Sequence, residues 1–427
     1  MNTIATPTVI GRGAPELSLA PIELREILEE ALDDIAGGER VLAIIPDKTR
    51  DDNTHLLVPF AADILAGKHI GQFDALVAQG THPPMTTTEK LAKVGALEGS
   101  LPGLGQIFDH RWDRPEELVT IGELPAARVR ELTGGLIDRS IPLTINRLLA
   151  QGVYDTVLVF GSTVPHEVAG FAGGAKYFFP GVAGSELTHA THWLGALATI
   201  EQIIGRVETP TRHLIEAAAD FIPARIIAFT SVMTRDASDS LVTHALFVGD
   251  FRESLRQAAA VSSRIHIKYT GRKYQRVVAL LDEHYDDLWV GGKASYRLGP
   301  VIEEGGELII YAPHLTRISE THGRLIERYG YAPLEVIKEL VATSAELEEN
   351  LCVAAHLAHV SFAGRADASG QMIPRYEITM ATGIDEATCR RVNLGYLDYH
   401  AFRLEDYKGD PDTLIVERAG RDLYMVV

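Results

Sequence analysis

The sequence predicts an α/β protein made of two α/β domains with largely parallel sheets and the active site in the cleft between them. Three observations carry this expectation. Short apolar runs rich in β-branched residues alternate with stretches of helical periodicity. The alternation restarts near residue 271, which divides the chain into 1–270 and 271–427. The residues with useful chemistry also fall where the strand-like runs stop, and ligands of open α/β sheets sit beyond the carboxyl ends of strands.

Each element has its own justification. "RVLAIIPD" (Arg40–Asp47), "FDALVAQGTH" (Phe73–His82), "DTVLVFGS" (Asp155–Ser162) and "RIIAFTSVM" (Arg225–Met233) are short, apolar and flanked by Gly, Pro or Asp, as buried strands are. "PIELREILEEALDDIAG" (Pro21–Gly37) opens on proline and stops at glycine, the polarity expected of a helix. Leu57–Gly71 has helical periodicity, and Thr86–Leu97 opens on threonines suited to a cap. Strand and helix in alternation argue for a parallel sheet covered on both faces. In the second half, Arg276–Pro313 reads as strand, Gly-rich loop, helix, tight Gly-Gly turn and strand. Helices follow over Gly323–Ala342 and Ser344–Val360, with Thr413–Val427 as strand or edge material.

Composition excludes several partners. The formal net charge of −18 argues against nucleic acid or an anionic membrane, either of which needs a basic face. Substrate anions must then be held by a few local cations. Cys352 and Cys389 are too few for a disulfide framework, which favours a reducing compartment. No long apolar span and no targeting pattern at the N-terminus are read, so a cytoplasmic location is expected.

Four strand ends carry candidate chemistry. The first is "PDKTR", where Arg50 suits a carboxylate or phosphate and Asp47 could orient it, or the two could form a surface ion pair. The second, "QGTHPP", holds His82 between a Gly-Thr turn and two prolines, which stiffen its backbone. The third, "FGSTVPHEVAGFAGGAK", brings His166, then Gly170, Gly173 and Gly174, then Lys176. Such a loop allows close approach of backbone to a bulky ligand, yet neither a Walker A order nor a G-x-G-x-x-G fingerprint is present. Beyond it, "ELTHATHW" puts His189 and His192 on one face of a helix, as packing residues or as metal ligands. The fourth, "DLWVGGKAS", offers Lys293 as an anion ligand or a solvated loop lysine. Two isolated histidines, His82 and His166, suit a two-base mechanism because imidazole exchanges protons near neutral pH.

Taken together, "DKTR", "GTH", "VPHEVAGFAGGAK", "THATHW" and "GGKA" resemble the lactate racemase family that uses a nickel-pincer nucleotide. The resemblance implies an isomerase, a racemase or epimerase of a 2-hydroxy acid. It would act by reversible hydride transfer to a pyridinium-3,5-bisthiocarboxylic acid mononucleotide nickel complex, through a 2-keto acid. It implies that Lys176 tethers this cofactor, that His192 is the protein's ligand to Ni(II), and that His82 and His166 are the acid/base pair. It also implies cofactor contacts from Asp47, Thr49, Arg50, Gly170, Gly173 and Gly174, and substrate contacts from Arg50, Lys293 and Trp289. Cofactor-synthesis enzymes become expected partners.

One position departs from the pattern. The lactate enzymes carry glutamine three residues before the second-domain lysine, and Val290 stands here. "YAPHLTRISETHG" adds His314, Arg317 and His322, which could grip a larger substrate such as malate or an aldonate, or could be ordinary helix-start residues. Two other readings stand beside this one: a zinc or iron hydrolase or lyase built on His82, His166 and His192, and an inert carrier of the same fold.

Overall fold

A computed structural model describes residues 9–96, 99–360, 364–367, 369 and 372–427. The stretch through Thr8, on which the targeting expectation rests, lies outside the described residues, as does Leu97 at the end of the expected Thr86–Leu97 helix. The chain divides into two compact units, one of Met1–Thr191 with Arg206–Ile265, the other of His192–Gly205 with His266–Val427.

In the first unit a seven-stranded sheet runs in the order Ile10–Gly13, Leu241–Gly249, Arg225–Arg235, Thr156–Ser162, Arg40–Pro46, Gln72–Ala78, Ile107–Asp109. The last five strands are parallel, and the first two add an antiparallel edge. All four strands expected in this half are central members of the sheet. Their continuous apolar runs reflect burial on both faces. Val41, Ala43, Ile45, Phe73, Ala75, Val77, Leu158 and Phe160 line one face and form a single core with the helices Pro21–Ala31 and Thr54–Gly67. The Thr87–Lys93 helix begins on the expected cap: Glu89 N–H donates to Thr86 Oγ1 at 3.2 Å, and the Glu89 carboxylate accepts from Thr86 N–H at 2.8 Å.

Register decides which residues meet at the carboxyl edge. Pro46 pairs with Ala78 and Ile44 with Val159, so the segments after the three central strands leave the sheet at one level. The antiparallel pair Leu118–Leu124 and Ile141–Asn146, and the helices Pro210–Ala219 and Phe251–His266, were not anticipated.

The second unit holds a five-stranded, wholly parallel sheet ordered Gly395–Tyr396, Glu377–Thr382, Ile302–Ala312, Tyr274–Leu280, Thr413–Val416. The Leu351–Val360 helix is buried along its whole length. The tail divides as strand material: Thr413–Val416 is a sheet edge and Leu423–Met425 pairs with Ile267–Tyr269. Two expectations need correction. The Gly323–Ala342 helix is broken into Gly323–Tyr329 and Leu334–Thr343, because Gly330 turns left-handed (φ 72°) and Pro333 can only start a helix. The "GGKAS" segment is not a Gly-rich loop at a strand end but two short helices, Leu288–Gly291 and Lys293–Leu298. Its glycines are there for packing: a Cβ on Gly292 would lie 3.0 Å from Val360 Cγ2 and 3.3 Å from His356 Cε1.

Candidate functional site

The first unit gathers most of the expected residues at the carboxyl edge of its sheet. Asp47 follows the Arg40–Pro46 strand and is buried, its carboxylate shared between two sets of donors. Oδ2 lies 2.7 Å from His82 Nδ1, and Oδ1 accepts from Thr49 N–H at 2.8 Å and from the Thr49 hydroxyl. Burial alone raises the Asp47 pKa, but the bond and charge of His82, then Arg50 and the Thr49 hydroxyl, bring it well below the usual carboxylate range. Asp47 is therefore an anion at any working pH. Arg50 N–H donates to Asp47 O at 3.4 Å, which closes the turn.

His166 stands in the two-residue strand Pro165–His166, paired with Gly170–Phe171. The Val168 N–H donates to its Nδ1 at 3.1 Å, and Glu167 Oε2 is 3.7 Å from the same nitrogen. The loop then needs glycine: Gly170, Gly173 and Gly174 have φ of 80°, 100° and 59°, a region that side chains rarely enter. It delivers Lys176 into the 3-10 turn Gly174–Tyr177. Lys176 is partly buried, and its ammonium is pushed down to about 7 by desolvation and by Arg50, against Glu167, with Arg212 lowering and Asp47 raising it further. Asp47, Arg50, Glu167 and Lys176 thus share one electrostatic site. A hydrogen-bonded relay ties its parts together: Gly80 N–H donates to Gly181 O at 2.8 Å, and Gly181 N–H donates to Lys176 O at 3.1 Å.

Several contributors were not read from sequence. Arg212, on the Pro210–Ala219 helix, is buried and donates to the carbonyls of Gly173 (3.1 Å), Ala169 (3.4 Å) and Phe171. One guanidinium thereby holds three turns of the glycine loop, and burial pushes its pKa down to about 10. His110 is buried with Nε2 2.9 Å from Ala183 O; burial pushes it down to about 4, so it is a neutral structural ring. Tyr177 packs its ring on Gly161, where an added Cβ would lie 2.1 Å from the ring. Gly161→Ala is expected to displace Tyr177 and to lower stability by about 1–3 kcal/mol, measured as a shift of the urea midpoint.

His189 and His192 lie on the Ser185–Ala198 helix, both partly buried, and burial lowers the His189 pKa. The division into units falls between them: Thr191 counts with the first unit, His192 with the second. In the second unit the Trp289 ring lies between His322 (4.4 Å) and His356 (4.2 Å). His356 is held by the hydroxyls of Tyr296 at 2.7 Å and Tyr331 at 3.3 Å. Val290 packs on this unit's core, and Asp287 accepts from its N–H at 3.2 Å. Lys293 opens its helix and is partly buried. Arg317 is half-exposed and pairs with Glu320 at 3.2 Å, while the buried Nε2 of His314 has no hydrogen-bond partner. Among the described residues, no three His, Cys, Asp or Glu side chains are grouped so as to hold a metal ion by themselves. No helix among them is long and apolar enough to cross a membrane.

Comparison with known proteins bears on this arrangement. Residues 21–203 match the lactate racemase N-terminal domain, a span that includes Asp47, His82, His166, Lys176 and His192. The chain carries a lactate racemase N-terminal domain over those residues. It is 30% identical over 163 residues to lactate racemase of Thermoanaerobacterium thermosaccharolyticum, which is 38% of this chain and 34% of that one. It is 27% identical over 165 residues to lactate racemase of Lactiplantibacillus plantarum, 38% of this chain and 35% of that one. The matched segment thus spans about a third of the length of these two family members. A solved Thermotoga maritima protein is similar along 96% of this chain and 99% of its own, at 33% identity and a TM-score of 0.87. The lactate racemase apoprotein of T. thermosaccharolyticum shares the fold, with a TM-score of 0.69 and 19% identity over 97% of this chain and 94% of its own.

Proposed function

We propose that the protein is a racemase or epimerase of a 2-hydroxy acid that works with a nickel-pincer nucleotide tethered to Lys176. The observation that carries this reading is the Lys176 amine. A lysine brought down to about 7 is substantially neutral at neutral pH, and only a neutral amine is a nucleophile able to form an amide-type bond. The left-handed glycines beside it let the loop turn tightly against Thr163, Leu255 and Phe251 and so set where Lys176 is presented.

In this reading Lys176 holds the cofactor and His192 supplies the protein's ligand to nickel, a metal that imidazole suits. Gly170, Gly173 and Gly174, with Thr49 and Arg50, border the cofactor. When bound, the group supplies a reversible hydride acceptor, which suits a 2-hydroxy acid because its weakly acidic C–H makes direct proton abstraction difficult. The chain's own part is to move the hydroxyl proton and hold the carboxylate. His82 and His166 exchange the proton, and Arg50 with Lys293 and Trp289 holds the acid. Val290 in place of glutamine removes a polar contact, which favours malate or an aldonate over lactate alone. Partners are then the small acid and the enzymes that build the cofactor.

The test is intact mass on protein produced alongside the cofactor-synthesis enzymes, followed by single-enantiomer 2-hydroxy acids monitored by circular dichroism. A mass increase with nickel, and loss of optical rotation with at least one acid, are expected. His82→Ala and His166→Ala should keep the adduct and lower turnover by about 10²–10⁴-fold. Stoichiometric zinc without an adduct would sink the pincer reading, and activity with zinc would be needed for the hydrolase or lyase one.

A further inference from the structure

We propose that the two imidazoles of the site are locked in opposite tautomers, so that His82 presents a bare Nε2 as the resting proton acceptor and His166 presents an Nε2–H as a donor. The partners decide this, because each has a single role. An ionised carboxylate can only accept, so the Asp47 Oδ2 at 2.7 Å requires the proton on His82 Nδ1. A backbone amide can only donate, so the Val168 N–H at 3.1 Å requires a lone pair on His166 Nδ1. Each neutral ring has one proton, which leaves Nε2 of His82 bare and Nε2 of His166 protonated.

The two locks differ in kind. That of His82 is charge-assisted and short, and that of His166 is an ordinary neutral bond. His166 can take up a second proton only at Nδ1, by exchanging the Val168 amide for the Glu167 carboxylate, now 3.7 Å away. The pair is therefore built with an order: the enantiomer whose hydroxyl meets His82 finds its base ready, and the other needs His166 as its Nδ1–H tautomer, with the proton moved off Nε2 and Val168 released. This rests on the racemase reading for its consequence but not for its geometry. For an acid with a single stereocentre, such as lactate or malate, the two enantiomers have equal free energy, so kcat/KM is the same from either side. The asymmetry must then show in kcat and KM separately, both larger in one direction.

Asp47 is the positioning residue, and Asp47→Asn tests it sharply. Thr49 donates twice to Oδ1, which would keep the asparagine carbonyl at that place and turn its NH₂ toward His82. His82 Nδ1 would then accept, and the proton would move to Nε2. The experiment is imidazole ¹⁵N NMR on cofactor-free protein, with His82→Gln and His166→Gln for assignment. Expected are an Nδ1–H for His82 and an Nε2–H for His166, with His82 switching to Nε2–H in Asp47→Asn. In loaded Asp47→Asn enzyme, kcat is expected to fall roughly 10³–10⁴-fold, as loss of the correct tautomer does in a comparable carboxylate–histidine pair. One tautomer shared by both rings, or an unchanged His82 in Asp47→Asn, overturns the inference. Absence of turnover in loaded wild-type protein would count against the racemase reading alone and leave the NMR result standing.

Discussion

Lys176→Ala is expected to abolish the covalent adduct and bring racemisation to background, while the cofactor-free protein gains stability. The first effect follows from chemistry that no neighbour can replace. Arg50 and Arg212 are the cations that most influence it, and a guanidinium is not a nucleophile at neutral pH. The second effect follows from linkage. The amine is lowered from 10.5 to about 7 in the folded protein, so between those values the unfolded chain holds a proton that the folded one does not. Stability of the wild type must therefore rise with pH across that window, and Lys176→Ala should flatten this slope. Urea midpoints from pH 6 to pH 10, with intact mass of loaded protein at pH 7.5, measure both. A wild-type slope that survives in the variant would mean that the amine is charged and solvated, and that the tether assignment is mistaken.

How far the sequence discloses this site depends on the range of the contacts involved. His166, Gly170, Gly173, Gly174 and Lys176 belong to one short segment, where spacing alone carries the pattern. Asp47 and His82 were visible as strand ends, but their pairing depends on the register that aligns Pro46 with Ala78, which no local pattern encodes. The same limit hid the bond to His82 made by Asp47, which was read as orienting Arg50 and contacting the cofactor. Arg212 had no signal at all: it is an unremarked arginine in a helix that itself went unread, and its partners are carbonyls, which every residue has. In the second unit the opposite error arose. Adjacent glycines punctuate loops often enough that Gly291–Gly292 was read as one. Gly292 serves instead the close approach of the buried Leu351–Val360 helix, Gly291 packs against Leu315 and Leu281, and Trp289 beside them makes tilted ring contacts with two histidines of its own unit. Strand existence was legible because burial on both faces leaves long apolar runs; short helices broken by Gly330 and Pro333 were not, since periodicity continues across the break.

Arg212 is also where the second large effect is expected. Arg212→Met should lower stability by about 3–5 kcal/mol, the range seen when one partner of a buried charged hydrogen-bond set is removed. The reasoning runs through the carbonyls. The carbonyls of Ala169, Phe171 and Gly173 converge on this one guanidinium, and of the three Gly173 O also accepts from Lys176 N–H at 3.3 Å. Methionine fills much of the volume and supplies no donor, so the Ala169 and Phe171 carbonyls lose this donor at about 1–3 kcal/mol each, while Gly173 O keeps the Lys176 N–H. Removing the positive charge also takes away one Coulomb partner of Glu216, whose carboxyl burial already pushes up, and leaves it Arg252 at 3.4 Å. Arg212→Lys is expected to fall between wild type and Met, because an ammonium lacks the planar fork that reaches three carbonyls at once. Because the loop carries His166 at one end and Lys176 at the other, adduct yield should fall with stability across the two variants. Urea unfolding with parallel intact mass tests the pair. A loss below 1 kcal/mol in Arg212→Met, with adduct formation intact, would show that the loop holds its left-handed turns through its glycines alone.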